Sequence, residues 1–332
     1  MIQKIKSILE FNLKHNFLLN KKIKEIENFY NSDNIEDLKN QQFQSFFKSV
    51  SKNPFYKNLY RDYGIDSSMI RTYEDLQILP TITKLDVKQN TNLIKQKTLL
   101  FKGYTSGTTG SPLVIYRDLK AIVNENAYVC WYRMQSGLLP NEKKVSIRGD
   151  LEKKELFYYD SVSKTLHISS FNLNENTFNE VFNKIKSFQP KALIGYPSSL
   201  ATLATFVISN KKQIEIPLSF TSSETIYKHQ EDLILGAFNS EIFDWYGNSE
   251  RTISLYRHDK KYYEPLLYSI NNYKSDCILT TSLINDAFPL VNYQVDDVVE
   301  TSLNYSKTKK SIVIDKIHGR VENYLILSDG SK

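Results

Sequence analysis

Hydroxyl side chains and glycines are concentrated in the stretch Tyr104–Pro112, which reads YTSGTTGSP. The glycines can take positive φ, and because they have no Cβ they let the backbone close on a ligand. Consecutive backbone N–H groups in such a loop form a concavity that binds anions, and the hydroxyl groups add further donors around it. The residues predicted to bind phosphate are Thr105, Ser106, Gly107, Thr108, Thr109 and Gly110.

This loop differs from a Walker loop, which ends in Gly-Lys-Ser/Thr. Here Gly110 is followed by Ser111 and Pro112, so the loop has no lysine. The alternative interpretation is an ordinary polar turn between two strands, which is what many Gly/Thr/Ser clusters form. Motifs elsewhere in the sequence are needed to distinguish a phosphate-binding loop from an ordinary turn.

Two further polar segments directly follow strand-like runs. Thr221–Thr225 comes after Leu218–Phe220, and Asp244–Arg251 comes after Glu241–Phe243. A strand that ends in a polar turn is where an open α/β sheet places its ligand. Both segments are therefore candidates for a binding site, and the alternative for the first is the capped start of a helix.

The elements that must position these segments alternate along the chain. Helical periodicity over Ala121–Gln135 and Phe178–Phe188 is interleaved with strand-like runs at Val145–Asp150 and Ala192–Gly195, which indicates an α/β architecture. Residues 1 to about 52 repeat apolar side chains at helical spacing and predict a helical lead.

Individual residues mark the helix boundaries. Pro80 ends one segment of the lead, and Thr83 is expected to cap the helix that follows it. Ser198 is expected to cap the helix after Tyr196, and Ser222 or Ser223 would cap a helix under the alternative interpretation of their turn.

Composition excludes several classes of protein. The 332 residues carry a formal net charge of +6, and the basic residues are spread along the chain, whereas a nucleic-acid groove would cluster them. Cys130 and Cys277 are too few for a zinc site or a disulfide framework, and two distant thiols are typical of a reducing compartment. No secretory signal and no apolar run of 18 residues is visible, so we expect a cytoplasmic protein without a transmembrane segment.

Ordered motifs from about residue 50 onward resemble one superfamily. In chain order they read PFY, YTSGTTGSPL, RGDL, ISSFNL, IGYPSSL, FTSSETI and FDWYGNSER. Together they resemble the adenylate-forming enzymes, and within them the CapK-like, capsular-polysaccharide group of the phenylacetate–CoA ligase branch.

The resemblance implies a fold and a division of the chain. The fold would be the α/β core of an acyl-CoA synthetase-like enzyme, with mixed sheets flanked by helices and a helical N-terminal lead. Residues 1–90 would form the lead, 91–318 the nucleotide- and acyl-binding core, and 319–332 the hinge. In such enzymes a C-terminal lid domain follows the hinge, so we expect residues 1–332 alone to bind nucleotide but adenylate poorly.

The resemblance also implies roles for residues. It places Ser222, Ser223 and Glu224 against the adenine. It assigns Asp244, Tyr246 and Gly247 to the nucleotide site, with Tyr246 on the adenine side. Ser249 would reach the α-phosphate, and Glu250 would hold Mg²⁺, an ion that favours carboxylate and phosphate oxygens together. For a lone Glu250 the alternative is a surface charge.

Two later segments resemble the family's ribose and hinge motifs. Asp297 matches the aspartate that accepts the ribose hydroxyls, although Gln294, Val295 and Asp296 depart from the family pattern, so Asp296 and Asp297 could exchange roles. Arg320 matches the arginine expected near the ribose or phosphates.

The resemblance predicts an enzyme that uses ATP and Mg²⁺ to activate a carboxylic acid as an acyl-adenylate. The acyl group would then pass to CoA or another acceptor, in surface polysaccharide biosynthesis. One alternative is an acyl-protein synthetase, which delivers the acyl group to a partner protein through an acyl-enzyme on Cys130 or Cys277. The other is a nucleotide-binding subunit without catalytic activity.

Overall fold

The computed structural model describes residues 17–105, 112–149 and 155–320. The predicted phosphate-binding residues 106–110, and the start of the helical lead before residue 17, lie outside these ranges. The described chain divides into two compact units. The first unit holds residues 129–246, and the second holds residues 17–128 and 247–320.

The helices are α1 (Phe17–Asn31), α2 (Ile35–Val50), α3 (Pro54–Asp62), α4 (Lys84–Gln89), α5 (Thr91–Ile94), α6 (Leu119–Gln135), α7 (Glu175–Phe188), α8 (Pro197–Ser209) and α9 (Lys228–Phe238), with 3₁₀ turns at Ser67–Met69 and Tyr73–Ile78. The strands are β1 (Phe101–Tyr104), β2 (Val114–Arg117), β3 (Lys144–Arg148), β4 (Phe157–Asp160), β5 (Thr165–Ser169), β6 (Ala192–Gly195), β7 (Leu218–Ser222), β8 (Glu241–Gly247), β9 (Ser254–His258), β10 (Lys261–Tyr263), β11 (Ser269–Tyr273), β12 (Ile278–Ser282), β13 (Tyr293–Val295), β14 (Asp297–Ser306) and β15 (Ser311–Arg320).

Side-chain caps define the helices of the lead. The Asn53 side chain accepts a hydrogen bond from the Phe55 N–H, and Pro54 occupies the first turn of α3, where its missing N–H costs nothing. Thr83 and Asp86 form a capping box at α4, which confirms the cap predicted at Thr83.

One tyrosine of the lead is tied to a segment far along the chain. The Tyr56 hydroxyl donates to the Pro289 carbonyl at 3.0 Å and accepts from the Val291 N–H at 2.9 Å. Burial raises the pKa of Tyr56, so the phenol stays neutral. Burying a side chain of this size contributes roughly 1.5–3 kcal/mol, and the two hydrogen bonds satisfy its only polar atom. The PFY motif therefore fixes the lead to the segment that enters β13.

The first unit confirms the α/β expectation. Its strands follow the order β8-β7-β6-β3-β5-β4, with β4 antiparallel to β5 and the others parallel. Helices α7, α8 and α9 bury their apolar faces with these strands in one core. Because the strands run parallel, the carboxyl ends of β8, β7, β6, β3 and β5 share one edge of the sheet.

Two predicted caps in this unit are wrong. Helix α8 begins with Pro197 after Tyr196, so Ser198 lies inside its first turn. Helix α9 begins at Lys228 after Tyr227, so neither Ser222 nor Ser223 caps a helix.

The second unit contains the helices of the lead, and its strands pair antiparallel. Strands β1 and β2 form a hairpin in which Tyr104 pairs with Val114. Strands β11, β12 and β13 form a small sheet, and β9, β10, β15 and β14 pair in that order. The candidate residues Thr105, Ser249, Glu250, Asp297 and Arg320 lie in these strands or next to them.

Candidate functional site

In the first unit, two neighbouring strands join their polar residues at the shared edge. Thr221 of β7 lies opposite Asp244 of β8, and the Thr221 hydroxyl donates to Asp244 Oδ1 at 2.5 Å. Both residues are almost completely buried. The structure thus places Asp244 between the strands, where it fixes the end of β7 against β8, and Tyr246 lies half-buried two residues further along.

The turn after β7 is exposed and held in a specific conformation. Ser223 takes a left-handed φ of +71°, which is uncommon for a residue with a Cβ. Glu224 accepts a hydrogen bond from the Ser198 N–H in the first turn of α8 at 3.2 Å. A carboxylate is favourable at a helix N-terminus because the free N–H groups there carry partial positive charge. The turn thereby presents Ser222 and Ser223 at the carboxyl end of the strand.

In the second unit, hydrogen bonds join the two residues that flank the predicted phosphate-binding loop. The Thr105 N–H donates to the Leu113 carbonyl at 3.0 Å, and the Leu113 N–H donates to Thr105 Oγ1 at 2.9 Å. Both residues are buried. The ends of the loop are therefore fixed by the β1–β2 hairpin, and Thr105 uses its hydroxyl as an acceptor within the protein.

The residues Ser249 and Glu250 lie in a turn that Asn248 organises. Asn248 Oδ1 accepts from the Thr252 N–H at 2.9 Å, and its Nδ2 donates to the Thr252 hydroxyl at 2.7 Å. The Thr252 carbonyl in turn accepts from the Thr280 hydroxyl at 2.6 Å. Side chains thus hold the turn to strand β12, while Ser249 is exposed.

The Glu250 carboxylate is oriented by a tyrosine that the sequence analysis did not single out. The Tyr293 hydroxyl donates to Glu250 Oε1 at 3.0 Å. Tyr293 is buried in β13, and its neighbours Asn292 and Gln294 exchange backbone hydrogen bonds with Ile82. Glu250 is half-buried.

The structure distinguishes the two candidate ribose residues. Asp297 is half-buried at the start of β14, where its Cα partner across the strand pair is Arg320 of β15. Asp296 is exposed, lies between two strands, and accepts a hydrogen bond from the Gln294 amide at 2.9 Å. The backbone therefore brings together Asp297 and Arg320, which the sequence analysis placed in separate motifs.

A partly buried charged cluster borders the same turn. Arg251, which follows Glu250, adopts a left-handed φ of +58° and forms an ion pair with Glu125 of α6. The Tyr268 hydroxyl also donates to Glu125. Burial opposes the charge of Arg251, but the Glu125 carboxylate and Tyr268 raise the pKa of Arg251 above its usual value.

Arg117, at the end of β2, is electrostatically coupled to this cluster. Burial lowers the pKa of the Arg117 guanidinium, and Arg251 lowers it further. Arg117 Nε is buried and has no hydrogen-bond partner among the described residues. The sequence analysis gave no role to Arg117, Arg251 or Glu125, because nothing local marks an arginine whose acid partner lies more than a hundred residues away.

The two cysteines lie in environments that disfavour the thiolate. Burial raises the pKa of the Cys130 thiol. Burial raises the pKa of Cys277 as well, and the neighbouring Asp276 carboxylate adds to the effect. Reactive cysteines have lowered pKa values, so neither thiol is suited to act as a nucleophile.

Known proteins are similar to this chain both in sequence and in fold. No family model matches the chain. Protein CapK of Staphylococcus aureus is 26% identical over 323 residues, which cover 91% of this chain and 71% of CapK. The fold also matches a crystal structure of 2-hydroxyisobutyryl-CoA ligase in an open conformation with 2-HIB-AMP and CoA, with a TM-score of 0.66 over 88% of this chain and 76% of that chain at 14% identity. The chain is therefore similar to CapK in sequence and to a CoA ligase in fold. A second structure of the same ligase, in the postadenylation state with 2-HIB-AMP, matches with a TM-score of 0.66 at 15% identity.

The candidate residues lie at different kinds of position in the two units. In the first unit they follow the carboxyl ends of parallel strands, and in the second they flank the neck of a hairpin loop and a fixed turn. Among the described residues, no group of three or more His, Cys, Asp or Glu side chains is arranged to hold a metal ion. No helix in the described ranges has the length and apolar character needed to cross a membrane.

Proposed function

We propose that this protein uses ATP to activate a carboxylic acid as an acyl-adenylate. The observation that carries the proposal is the turn after β8, where Asn248 fixes the backbone and Tyr293 orients the Glu250 carboxylate. The 2-HIB-AMP bound to the structurally similar 2-hydroxyisobutyryl-CoA ligase supports it, because 2-HIB-AMP is an acyl-adenylate. The phenylacetate–CoA ligase-like subtype is part of the same proposal.

The reaction needs no nucleophile from the protein. A carboxylate oxygen of the acid attacks the α-phosphorus of ATP, and the bond from that phosphorus to the oxygen bridging to the β-phosphate breaks. The products are the acyl-adenylate and pyrophosphate. The protein contributes position and preorganised charge. Residues 105–110 and Ser249 would contact the phosphates, Ser222, Ser223 and Tyr246 the adenine, and Asp297 with Arg320 the ribose.

The residues present fit a magnesium ion that arrives with the nucleotide. Mg²⁺ is commonly bound through one or two carboxylates together with substrate phosphates, and it keeps several waters. A single oriented carboxylate at Glu250 suits this mode of binding. An ion held by protein ligands alone would need several more oxygen ligands from the protein. Bound there, the ion would offset negative charge on the phosphates.

For the second step we propose that the acyl group passes to CoA or another thiol. The thiol sulfur would attack the acyl carbonyl carbon, and AMP would leave. CoA is bound in the similar ligase structure, which supports this acceptor. The raised pKa values of Cys130 and Cys277 disfavour the acyl-enzyme of an acyl-protein synthetase. Similarity to CapK is the support for a role in surface polysaccharide biosynthesis.

The test is ATP–pyrophosphate exchange with a panel of aromatic, amino and hydroxy acids. We expect at least one acid to drive measurable but slow exchange, and Glu250→Gln to lower that rate further. Losing one preorganised charged group costs on the order of 2–4 kcal/mol of transition-state stabilisation, which is roughly 30- to 1,000-fold. Glu241→Gln, an exposed glutamate at the start of β8, is the matched control.

The outcomes separate the alternatives. If Glu250→Gln retains the wild-type rate at saturating Mg²⁺, Glu250 is not the metal residue. ATP binding without exchange for any acid would favour a nucleotide-binding subunit that lacks activity. Absence of ATP binding would refute the proposed function as a whole.

A further inference from the structure

The second unit contains a cleft of about 370 Å³ between its small sheet and the turn that faces that sheet. Strand β11 contributes Ile270 and Asn272, which point to the same face because they are two residues apart. Their partners across the strand pair, Thr281 and Leu279 of β12, share that face. The 3₁₀ turn Tyr73–Ile78 forms the opposite side of the cleft. The volume lies within the range of small-molecule sites, and none of the described residues assigned to nucleotide binding lines it.

Hydrogen bonds hold the turn in place, so the cleft is formed before any ligand arrives. The Tyr73 N–H donates to the Asn40 side chain at 3.2 Å, and the Tyr73 hydroxyl donates to the Glu36 carboxylate of α2. Directly after the turn, the Leu79 carbonyl accepts a hydrogen bond from the Asn292 side chain at 2.9 Å. A site that is fixed in advance loses little conformational entropy when a ligand binds.

Two buried residues that line the cleft have hydrogen-bonding capacity that the protein does not use. Thr281 Oγ1 accepts from the Asn292 N–H at 2.9 Å, but no described residue accepts the proton of the Thr281 hydroxyl. Asn292 Oδ1 likewise receives no hydrogen bond from the described residues. Buried polar groups normally have partners, so a molecule in the cleft is expected to supply an acceptor and a donor.

The more exposed part of the cleft combines free amides with apolar surface. Gln77 and Asn272 are exposed, and neither side chain is hydrogen-bonded to a described residue. Leu76, Ile270 and Leu279 supply the apolar surface. An amide group both donates and accepts, as a hydroxyl group does, and apolar surface favours contact with C–H groups. This combination fits a sugar ring, which has hydroxyl groups along its edge and C–H groups on its faces.

The charges beside the cleft disfavour an anion. The Lys39 ammonium lies 3.9 Å from the centre of the Tyr73 ring. Burial raises the pKa of Tyr73, and the nearby Glu36 and Glu74 carboxylates raise it further. Two carboxylates therefore lie near the same ring as one ammonium, and the local charge is negative. A phosphate or carboxylate ligand would be repelled here, whereas a neutral ligand would not.

We propose that the cleft binds a neutral sugar through the amides of Gln77 and Asn272 and the buried side chains of Thr281 and Asn292. The inference is independent of the proposed function and gives the protein a second binding site. The apolar side chains would pack against one face of the sugar ring, while the amides would bind its hydroxyl groups. A ligand without hydroxyl groups would bury these polar side chains without partners, which costs binding free energy.

Calorimetry with defined sugars tests the proposal on the whole 332-residue chain. The probes are maltose, lactose and N,N′-diacetylchitobiose, and we expect at least one to bind with a dissociation constant of about 1–10 mM. Inorganic phosphate and cyclohexanol are added as competitors. Neither should displace the bound disaccharide, because phosphate carries negative charge and cyclohexanol has a single hydroxyl group.

Variants at exposed positions locate the bound sugar without disturbing the fold. Gln77→Ala and Asn272→Ala each remove one amide, so each should weaken the disaccharide about 3- to 10-fold. The double variant should weaken it about 10- to 100-fold. Asn304→Ala removes an exposed amide from β14 of the same unit and should leave the affinity unchanged. Urea midpoints should stay at the wild-type value in all of these proteins.

Three results would each overturn the inference. One is the absence of binding for all three disaccharides at about 20 mM. Another is a wild-type affinity in the double variant, which would place the sugar elsewhere on the protein. The third is displacement of the sugar by phosphate or by cyclohexanol, which would show an anionic or an apolar ligand preference. ATP binding and pyrophosphate exchange are measured separately, so each of these results would leave the proposed function standing.

Discussion

The side chain of Asn248 should be essential for the turn that carries Ser249 and Glu250. Replacing it with alanine removes the acceptor of the Thr252 N–H at 2.9 Å and the donor to the Thr252 hydroxyl at 2.7 Å. Thr252 is 0% exposed, so water cannot replace the lost partners without a structural change. The turn should loosen, and Glu250 should lose part of its fixed orientation.

The size of the effect follows from these contacts. A neutral hydrogen bond contributes about 1 kcal/mol net, and a buried group left without a partner costs about 1–3 kcal/mol. Two such groups at Thr252 predict a loss of about 2–4 kcal/mol of unfolding free energy for Asn248→Ala. With a denaturant slope of about 3 kcal/mol per molar urea, the midpoint should fall by roughly 0.7–1.3 M.

Urea unfolding and ATP–pyrophosphate exchange together test this reasoning. Asn248→Asp keeps an oxygen that accepts from the Thr252 N–H, and it should recover more than half of the lost stability. Asn272→Ala, at an exposed position of β11 in the same unit, should leave the midpoint unchanged. Exchange should fall about tenfold in Asn248→Ala, which corresponds to about 1.4 kcal/mol.

The reasoning would be refuted by a midpoint for Asn248→Ala that coincides with that of Asn272→Ala. A lowered midpoint with wild-type exchange would mean that the turn adds stability without positioning Glu250.

Two other predictions concern Asp297 and Lys144. Asp297→Ala should raise the dissociation constant for AMP much more than Asp296→Ala, because Asp297 is half-buried opposite Arg320 and Asp296 is exposed; calorimetry showing equal or reversed effects would contradict this. Burial first, and then Arg133, lower the pKa of Lys144 to about 8. Between pH 8 and about 10.5 the unfolded chain therefore binds more protons than the folded protein, so folding stability should rise with pH in that window. Below pH 8 the cost of burying the charged Lys144 ammonium is fully present. Urea midpoints at pH 7.5 and 9.5 should show this gain in the wild type relative to Lys144→Met, and equal changes in both proteins would contradict it.

Much of the fold could be predicted from the sequence because its signals are local. The hydrophobic spacing of helix α6, the cap at Thr83 and the strand before Gly195 depend on residues within a few positions of one another, and the structure confirms all three. The order of the motifs also predicted the fold that the chain shares with a CoA ligase. The predicted caps at Ser198, Ser222 and Ser223 failed because a serine before a helix is only a local preference, and Pro197 and Tyr227 define those helix starts.

The sequence by itself determined the residue types of the candidate site and their order: a loop rich in donors, a glutamate in a turn, and an aspartate at the start of the last strand pair. Only the tertiary structure decided which side chains act together. Tyr293 meets Glu250 and Thr221 meets Asp244 because strand register and packing bring distant residues within 3.0 Å. The sequence alone does not show that Glu125 pairs with Arg251, or that the Arg117 side chain lies over Gly103. Each of these contacts depends on the packing of separate elements.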